Sequence, residues 1–323
     1  MWKASCETSE SRFEINPDIP SETERNQSNF SASGTALKII LTSDLHQLIR
    51  KWDDLVEVVE LERPRFVLIA GDLLPKDGGH KAQKDFLPKL KHHLQRMKKA
   101  ASLTVFLYMG NDDHHILEPL LDGLEREGLC INLNGRVHRE ERLVFCGMNK
   151  VRDYPFGYKH WCAPDGDYIK CPEQFCGEGL TLDERGNFLP LDNLVEYLSA
   201  KPSLGEELDR VKMQLQPGEM ERSIWMVHQP PSSLGMDICG DGQQVGSPTV
   251  LRFVRKNQPL LGCSGHIHES PYQLGGRWVN KIGRTVWFQP GQIDHRLHAV
   301  SLEVSSDNAI RNVRHSVFDE SKD

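Results

Sequence analysis

Short apolar runs that each stop abruptly in a polar cluster constrain this chain more than any other feature. Leu37-Lys38-Ile39-Ile40-Leu41-Thr42 leads into Ser43-Asp44-Leu45-His46. Phe66 to Ala70 leads into Gly71-Asp72, and Leu103 to Met109 leads into Gly110-Asn111-Asp112-Asp113. Each run has the length and apolar density of a buried strand. The stretches between them, Trp52 to Leu61 (closed before Pro64) and residues 80–101, read as helices. A third helix over Ile116 to Glu127, ended by Gly128, and strands at 129–133 and 142–147 continue the pattern. Strand and helix in alternation define an α/β layered domain. In such sheets ligands collect at the carboxyl ends of the strands.

The pattern resumes further on. Ser223 to Val227 reads as a strand ending in His228-Gln229-Pro230-Pro231, followed by a helix at about 248–256. Leu260 to Ser264 is another strand, ending in Gly265-His266-Ile267-His268. Alternating stretches at 277–289, 297–304 and 310–317 predict a largely antiparallel second sheet. Between the halves, residues 150–222 are loop-rich, with Pro155, Pro164, Pro172, Pro190 and Pro202. Helices fit near 191–199 and 204–215. We read 150–222 as an insertion or cap on a domain spanning 37–317. Residues 1–36 carry six acids against three bases with sparse, aperiodic apolar residues. They read as a polar, flexible tail.

Composition narrows the function classes. Of 323 residues, 38% are hydrophobic, enough for a sizeable core. Subtracting 46 acidic from 39 basic residues leaves −7, which gives no reason to expect nucleic acid or an anionic membrane as partner. No apolar run approaches the roughly 18 residues of a spanning helix, and Met1-Trp2-Lys3-Ala4-Ser5-Cys6 leads into no apolar stretch. We therefore expect no secretory signal and a cytoplasmic chain. The eight cysteines lack CxxC spacing and read as mostly reduced thiols, including the cluster Cys162, Cys171 and Cys176. Residues 81–99 hold seven bases against Asp85, a solvated helix face with Phe86, Leu87, Leu90 and Leu94 on its buried side.

Five strand ends deliver seven candidate metal ligands: Asp44, His46, Asp72, Asn111, His228, His266 and His268. All are oxygen or imidazole donors, a set that suits Mn, Fe or Zn and is too rich in histidine for calcium. Asp44 and His46 are two apart, so on an extended segment both face one side, and the same holds for His266 and His268. Two such pincers with a shared carboxylate can hold two divalent metals about 3.5–4 Å apart. Any one piece alone is commonplace. Five in order, each closing an apolar strand, point to a dinuclear centre.

These motifs resemble the calcineurin-like metallophosphoesterase superfamily, whose pattern is D-x-H, G-D, G-N-H-[DE], H and G-H-x-H. The resemblance spans 42–268. It implies a four-layer αββα sandwich with two mixed β-sheets flanked by helices. It implies one metal held by Asp44, His46, Asp72 and His268, and a second by Asp72, Asn111, His228 and His266. Mn2+ comes first among the candidates, with Fe or Zn as alternatives. The implied reaction is hydrolysis of a small phosphorylated, nucleotide-like substrate by a hydroxide bridging the metals. Gln289-Pro290-Gly291 resembles the N-P-G turn of many small members, with Gln in place of Asn.

The third motif departs from the pattern: the histidine expected there is Asp112. A carboxylate beside two cations is a poor general acid and repels phosphate, so His114 or His115 stands as a replacement. Loss of an acid costs typically 10²–10⁴-fold, most for basic alkoxide leaving groups. The expected substrate is therefore a phosphodiester or phosphoanhydride. The alternative is a catalytically weak or inactive metal-binding interaction module. In the insertion, Tyr154, Phe156, Tyr158, Trp161 and Tyr168, beside Lys150, Arg152, Lys159 and His160, fit either a substrate lid or a small satellite core.

Overall fold

The computed structural model describes residues 36–46, 48–153, 156–166 and 179–318. The tail reading of the N-terminus, Tyr154, Tyr168, Cys171 and Cys176 fall outside these residues. The apolar runs form β1 (Leu37–Thr42), β2 (Phe66–Ile69), β3 (Thr104–Leu107) and the short β4 (Ile131–Asn132). They pair in parallel, β1 to β2 to β3 to β4. Each crossover carries a helix: α1 (Ile49–Glu62), α2 (Gly79–Ala100) and α3 (Glu118–Arg126). Trp52, Leu55, Val56 and Val59 of α1 and Phe86, Leu90, Leu94 and Met97 of α2 bury one stripe against the outer face of this sheet. The basic face of α2 turns outward, where Lys81 pairs with Asp85 and Lys91 with Glu127.

The second sheet runs β11 (Val279–Ile282), β12 (Thr285–Phe288), β10 (Leu261–Cys263), β9 (Ser223–Val227), β6 (Leu143–Met148) and β5 (Val137–Glu140). Between the sheets lie Ile39, Leu41, Phe66, Phe106, Phe145, Ile224, Met226 and Phe288. A further core covers the outer face of the second sheet, where Leu204, Leu208 and Val211 of α5 (Leu204–Lys212) meet Val250 and Val254 of α6 (Pro248–Asn257). The order is thus helices, sheet, sheet, helices, and both sheets are mixed.

The single antiparallel sheet expected from 277–317 is divided between the two layers. β12 pairs in parallel with β10, while β13 (Leu297–Val304) pairs antiparallel with β1, Leu37 opposite Val304. β14 (Ile310–Phe318) follows as the edge. β13 has neighbours on both sides and cover on both faces, so seven of its eight residues are buried. A strand in that position has no solvent face to impose alternation. β5 escapes sequence reading for the opposite reason, since Val-His-Arg-Glu on an edge carries no apolar signal.

The segment 150–222 holds a hairpin of β7 (Gly179–Leu182) and β8 (Phe188–Leu191), then α4 (Leu194–Ser199) and α5. The hairpin is not anticipated by its sequence. α5, capped by Ser203 and Glu206 in a reciprocal capping box, serves the outer helical layer, so the irregular part ends before it. Cys162 is a buried free thiol that burial pushes up to about 12. Among the described residues, no helix is long and apolar enough to cross a membrane.

Candidate metal centre

The polar clusters at the strand ends meet at one edge of the two sheets. Their backbones are laced together. Asp44 N–H donates to Gly71 O (3.0 Å), His46 N–H to Asp72 O (2.9 Å) and Gly265 N–H to His228 O (3.2 Å). Asp44, His46, Asp72 and His266 all take left-handed φ values, 52°, 47°, 53° and 70°. Non-glycine residues there cost roughly 1–3 kcal/mol each and persist where the surroundings over-determine them. The lacing does so here, and four side chains are thereby aimed inward.

The flanking glycines serve close approach more than turning. Gly71 alone of the three has a positive φ, and a Cβ there would fall 2.5 Å from His228 Nδ1. A Cβ on Gly110 would fall 2.7 Å from the Asp72 Cγ, and one on Gly265 2.7 Å from Asp44 Oδ2. Each glycine makes room for a ligand candidate from another strand end.

The side chains gather in two groups. Ligand atoms of Asp44, His46 and Asp72 lie within 4.8 Å of one another, and the His268 ring stands edge-on to His46 at 6.2 Å. On the other side, Asn111 Oδ1 lies 2.9 Å from His228 Nε2 and 2.6 Å from His266 Nδ1. Those spacings match neighbouring donors on one cation, roughly 3 Å apart for bonds of about 2.1 Å. Asp72 joins the groups, its Oδ2 3.4 Å from His228 Nε2. His228 Nδ1–H donates to Ala70 O (2.7 Å), which leaves Nε2 facing Asp72 and Asn111. Asp44 Oδ1 accepts from His266 N–H (2.9 Å). Gln289, in the turn that resembles N-P-G, donates to Gly265 O (2.7 Å) and Ile267 O (3.1 Å) and so braces the His266 backbone.

Chemistry tests the fit. Asp44 Oδ2, His46 Nδ1, His266 Nε2 and His268 Nδ1 are buried without a hydrogen-bond partner. Orphaned buried donors and acceptors cost about 1–3 kcal/mol each, and four among these side chains suit divalent cations. Electrostatics agree. Burial penalises both charges of the Asp72–His228 pair, but their attraction prevails, holding Asp72 far below the usual carboxylate range and raising His228 to about 9. Burial and then the neighbouring His228 hold His266 well below an ordinary imidazole.

The candidates for the missing histidine lie elsewhere. The His114 ring is buried against His80, Tyr158 and Phe188, and burial, then His80, lowers it to about 4. The His115 ring stacks on His160 at 3.5 Å and its Nδ1 meets Tyr158 Oη. Asp112 stays at the centre. Its N–H donates to Asp72 Oδ1 (2.9 Å), its Oδ1 accepts from Asn111 Nδ2 (3.0 Å), and its Oδ2 lies 3.1 Å from Lys76 Nζ.

Lys76, Gln83 and the role of Asp113 escape sequence reading. The Asp113 carboxylate takes the N–H groups of Leu73, Leu74 and Gly110 at 2.8–2.9 Å. Gln83 donates to Pro75 O and Asp112 O and accepts from His114 N–H. Asp113 falls on the acidic position of the G-N-H-[DE] motif, a signal that was there to use. A lone lysine and glutamine carry none. Of the insertion's aromatics, Tyr158 and Trp161 join the core of the first sheet, while Phe156 stands edge-on to His266 at 5.4 Å.

The fold is an α/β sandwich with oxygen and imidazole side chains gathered at five strand ends, and the comparisons give its family. The model for calcineurin-like phosphoesterases matches residues 37–270, and the chain belongs to that family. One crystal structure is similar at 14% identity and TM-score 0.55, over 88% of this chain and 100% of that one. A dimetal phosphatase from Danio rerio is similar at 14% identity and TM-score 0.48, over 84% and 93%. An archaeal phosphodiesterase is similar at 12% identity and TM-score 0.40, over 87% and 100%. At these identities the likeness is one of fold alone. No curated protein matches the sequence.

Proposed function

We propose that the chain is a dimetal hydrolase of phosphodiester or phosphoanhydride bonds. The observation that carries this is the convergence of seven donors, four with buried atoms left without hydrogen-bond partners. Asp44, His46, Asp72 and His268 would hold one cation, and Asp72, Asn111, His228 and His266 the other, with Mn2+ first and Fe or Zn as alternatives. Two bound divalent cations supply an acidified water and neutralise charge on the phosphoryl group. The protein's part is preorganisation. Ala70 O fixes the His228 tautomer, the His266 N–H anchors Asp44, and Phe156 packs edge-on to His266. A carboxylate at position 112 disfavours basic leaving groups, which supports diesters and anhydrides over alkyl monoesters. That same aspartate favours a second reading, a module that binds metal and turns over weakly.

Hydrolysis of a bis-aryl phosphodiester beside an aryl phosphomonoester tests the proposal, with added Mn2+, with chelator, and with His228→Ala. The expected result is diester cleavage lost in chelator and in the variant. Two metals bound per chain without cleavage of either ester would reject the hydrolase reading in favour of the binding module.

A further inference from the structure

We propose that Lys76, aimed by Asp112, contacts the phosphoryl group and its leaving oxygen at this centre, the place the family pattern gives to a histidine. The inference rests on the hydrolase reading. Its support is geometric. Lys76 Nζ is 3.1 Å from Asp112 Oδ2, and Asp112 is itself tied to two ligand candidates, through Asn111 Nδ2 on Oδ1 and through its own N–H on Asp72. The ammonium is thus one side chain removed from both groups of donors. The Lys76 side chain is 59% exposed and that of Asp112 14%, so the ammonium faces the open side while its anchor is held within.

An exposed ion pair by itself contributes little. Two features separate this one from a solvated pair. The loop that carries Lys76 and the loop that carries Asp112 are fixed as one unit. The Asp113 carboxylate binds Leu73 and Leu74 from the first loop and Gly110 from the second. The Gln83 amide bridges Pro75 O of the first and Asp112 O of the second. A network satisfied at both ends preorganises the group it carries. The pair also removes the electrostatic objection to position 112, because an anion there is matched by a cation with donors to spare. Burial disfavours the charge on Lys76, and the Asp112 carboxylate 3.1 Å away favours it. Paired in this way, Lys76 serves as a positively charged donor. Such a group stabilises charge on a departing phenolate or phosphate, and cannot supply the proton that a departing alkoxide needs.

The test compares wild type, Lys76→Met, Lys76→Arg and Asp112→Asn, each loaded with Mn2+. The measurements are metal content, calorimetric binding of inorganic phosphate, and kcat and KM for aryl methyl phosphodiesters of an acidic and a less acidic phenol. Lys76→Met is expected to keep both metals and bind phosphate about tenfold more weakly. It should lose about 10²-fold in kcat/KM, the size of losing one charge-stabilising donor, with the greater loss on the less acidic phenol. Lys76→Arg should recover to within about tenfold. Asp112→Asn should lower kcat, because Lys76 loses its aim, without weakening phosphate binding, because a negative charge beside the anion is removed. Unchanged phosphate affinity together with an unchanged dependence on the phenol in Lys76→Met would overturn the inference. If wild type binds two metals but cleaves nothing, the hydrolase reading fails by itself, and the phosphate measurement still decides whether Lys76 contacts the anion.

Discussion

Gly110 lies where the shared carboxylate needs room, and replacing it by alanine tests that requirement. Its φ is outside the left-handed region, so alanine fits the backbone dihedral and the penalty is one of space. The added methyl would fall 2.3 Å from Asp72 Oδ1, 2.4 Å from the Asp72 backbone N and 2.7 Å from its Cγ, where ordinary carbon contacts are about 3.5–4 Å. Roughly 0.8 Å or more of displacement is needed, several times the tolerance of about 0.2 Å on metal–ligand distances. In the metal-free chain the Asp72 backbone must give way and its carboxylate can turn aside, at the cost of its bond to the Asp112 N–H and of some stability. In the loaded chain the carboxylate must return, and a further overpacking of about 1–3 kcal/mol falls on binding. At 1.4 kcal/mol per decade that is about a 5- to 150-fold loss of affinity. Because Asp72 adjoins both groups of donors, both metals should weaken together. Calorimetric titration with Mn2+ reads this directly. Gly240→Ala, with open space around the Cβ, controls for the substitution itself. Two metals bound to Gly110→Ala with wild-type affinity would refute the shared-carboxylate geometry.

Other outcomes follow from the same structure. The metal-free chain should lose stability as pH rises from about 6.5 through about 9, because His228 gains its proton more readily folded than unfolded and its contribution fades as that proton leaves. Urea midpoints across that range check the sign, and Mn2+ should abolish the slope while its binding releases a proton. Lys159 is fully buried with Asp153 2.7 Å away, so Asp153→Ala should destabilise by up to about 3–5 kcal/mol by removing the carboxylate paired with a buried ammonium, measured by urea unfolding. Asp113→Ala leaves three backbone N–H groups without their acceptor. It should destabilise by about 2–4 kcal/mol and lower kcat more than metal content, because it frees the Lys76 loop from the Asp112 loop.

What could be read from the sequence divides along one physical line. Asp44, His46, Asp72, Asn111, His228, His266 and His268 each follow directly on an apolar strand, so a local pattern carries each of them and the parallel sheet does the gathering. Placements that depend on distant pairing had no local trace. β13 lies beside β1 only because Leu37 meets Val304 across the whole domain, and the alternation read over 297–304 says nothing of which sheet the strand joins. Asp112 read as a defect because a carboxylate beside two cations is a poor acid and repels phosphate, whereas its partner Lys76 is brought to it by Gln83 and Asp113. His114 read as a substitute because it is two residues away in sequence, yet its N–H is held by Gln83 and its ring lies against His80 and Phe188. The donors of this centre are thus written as strand ends, whereas the group that meets the substrate opposite them is defined by the packing of two loops.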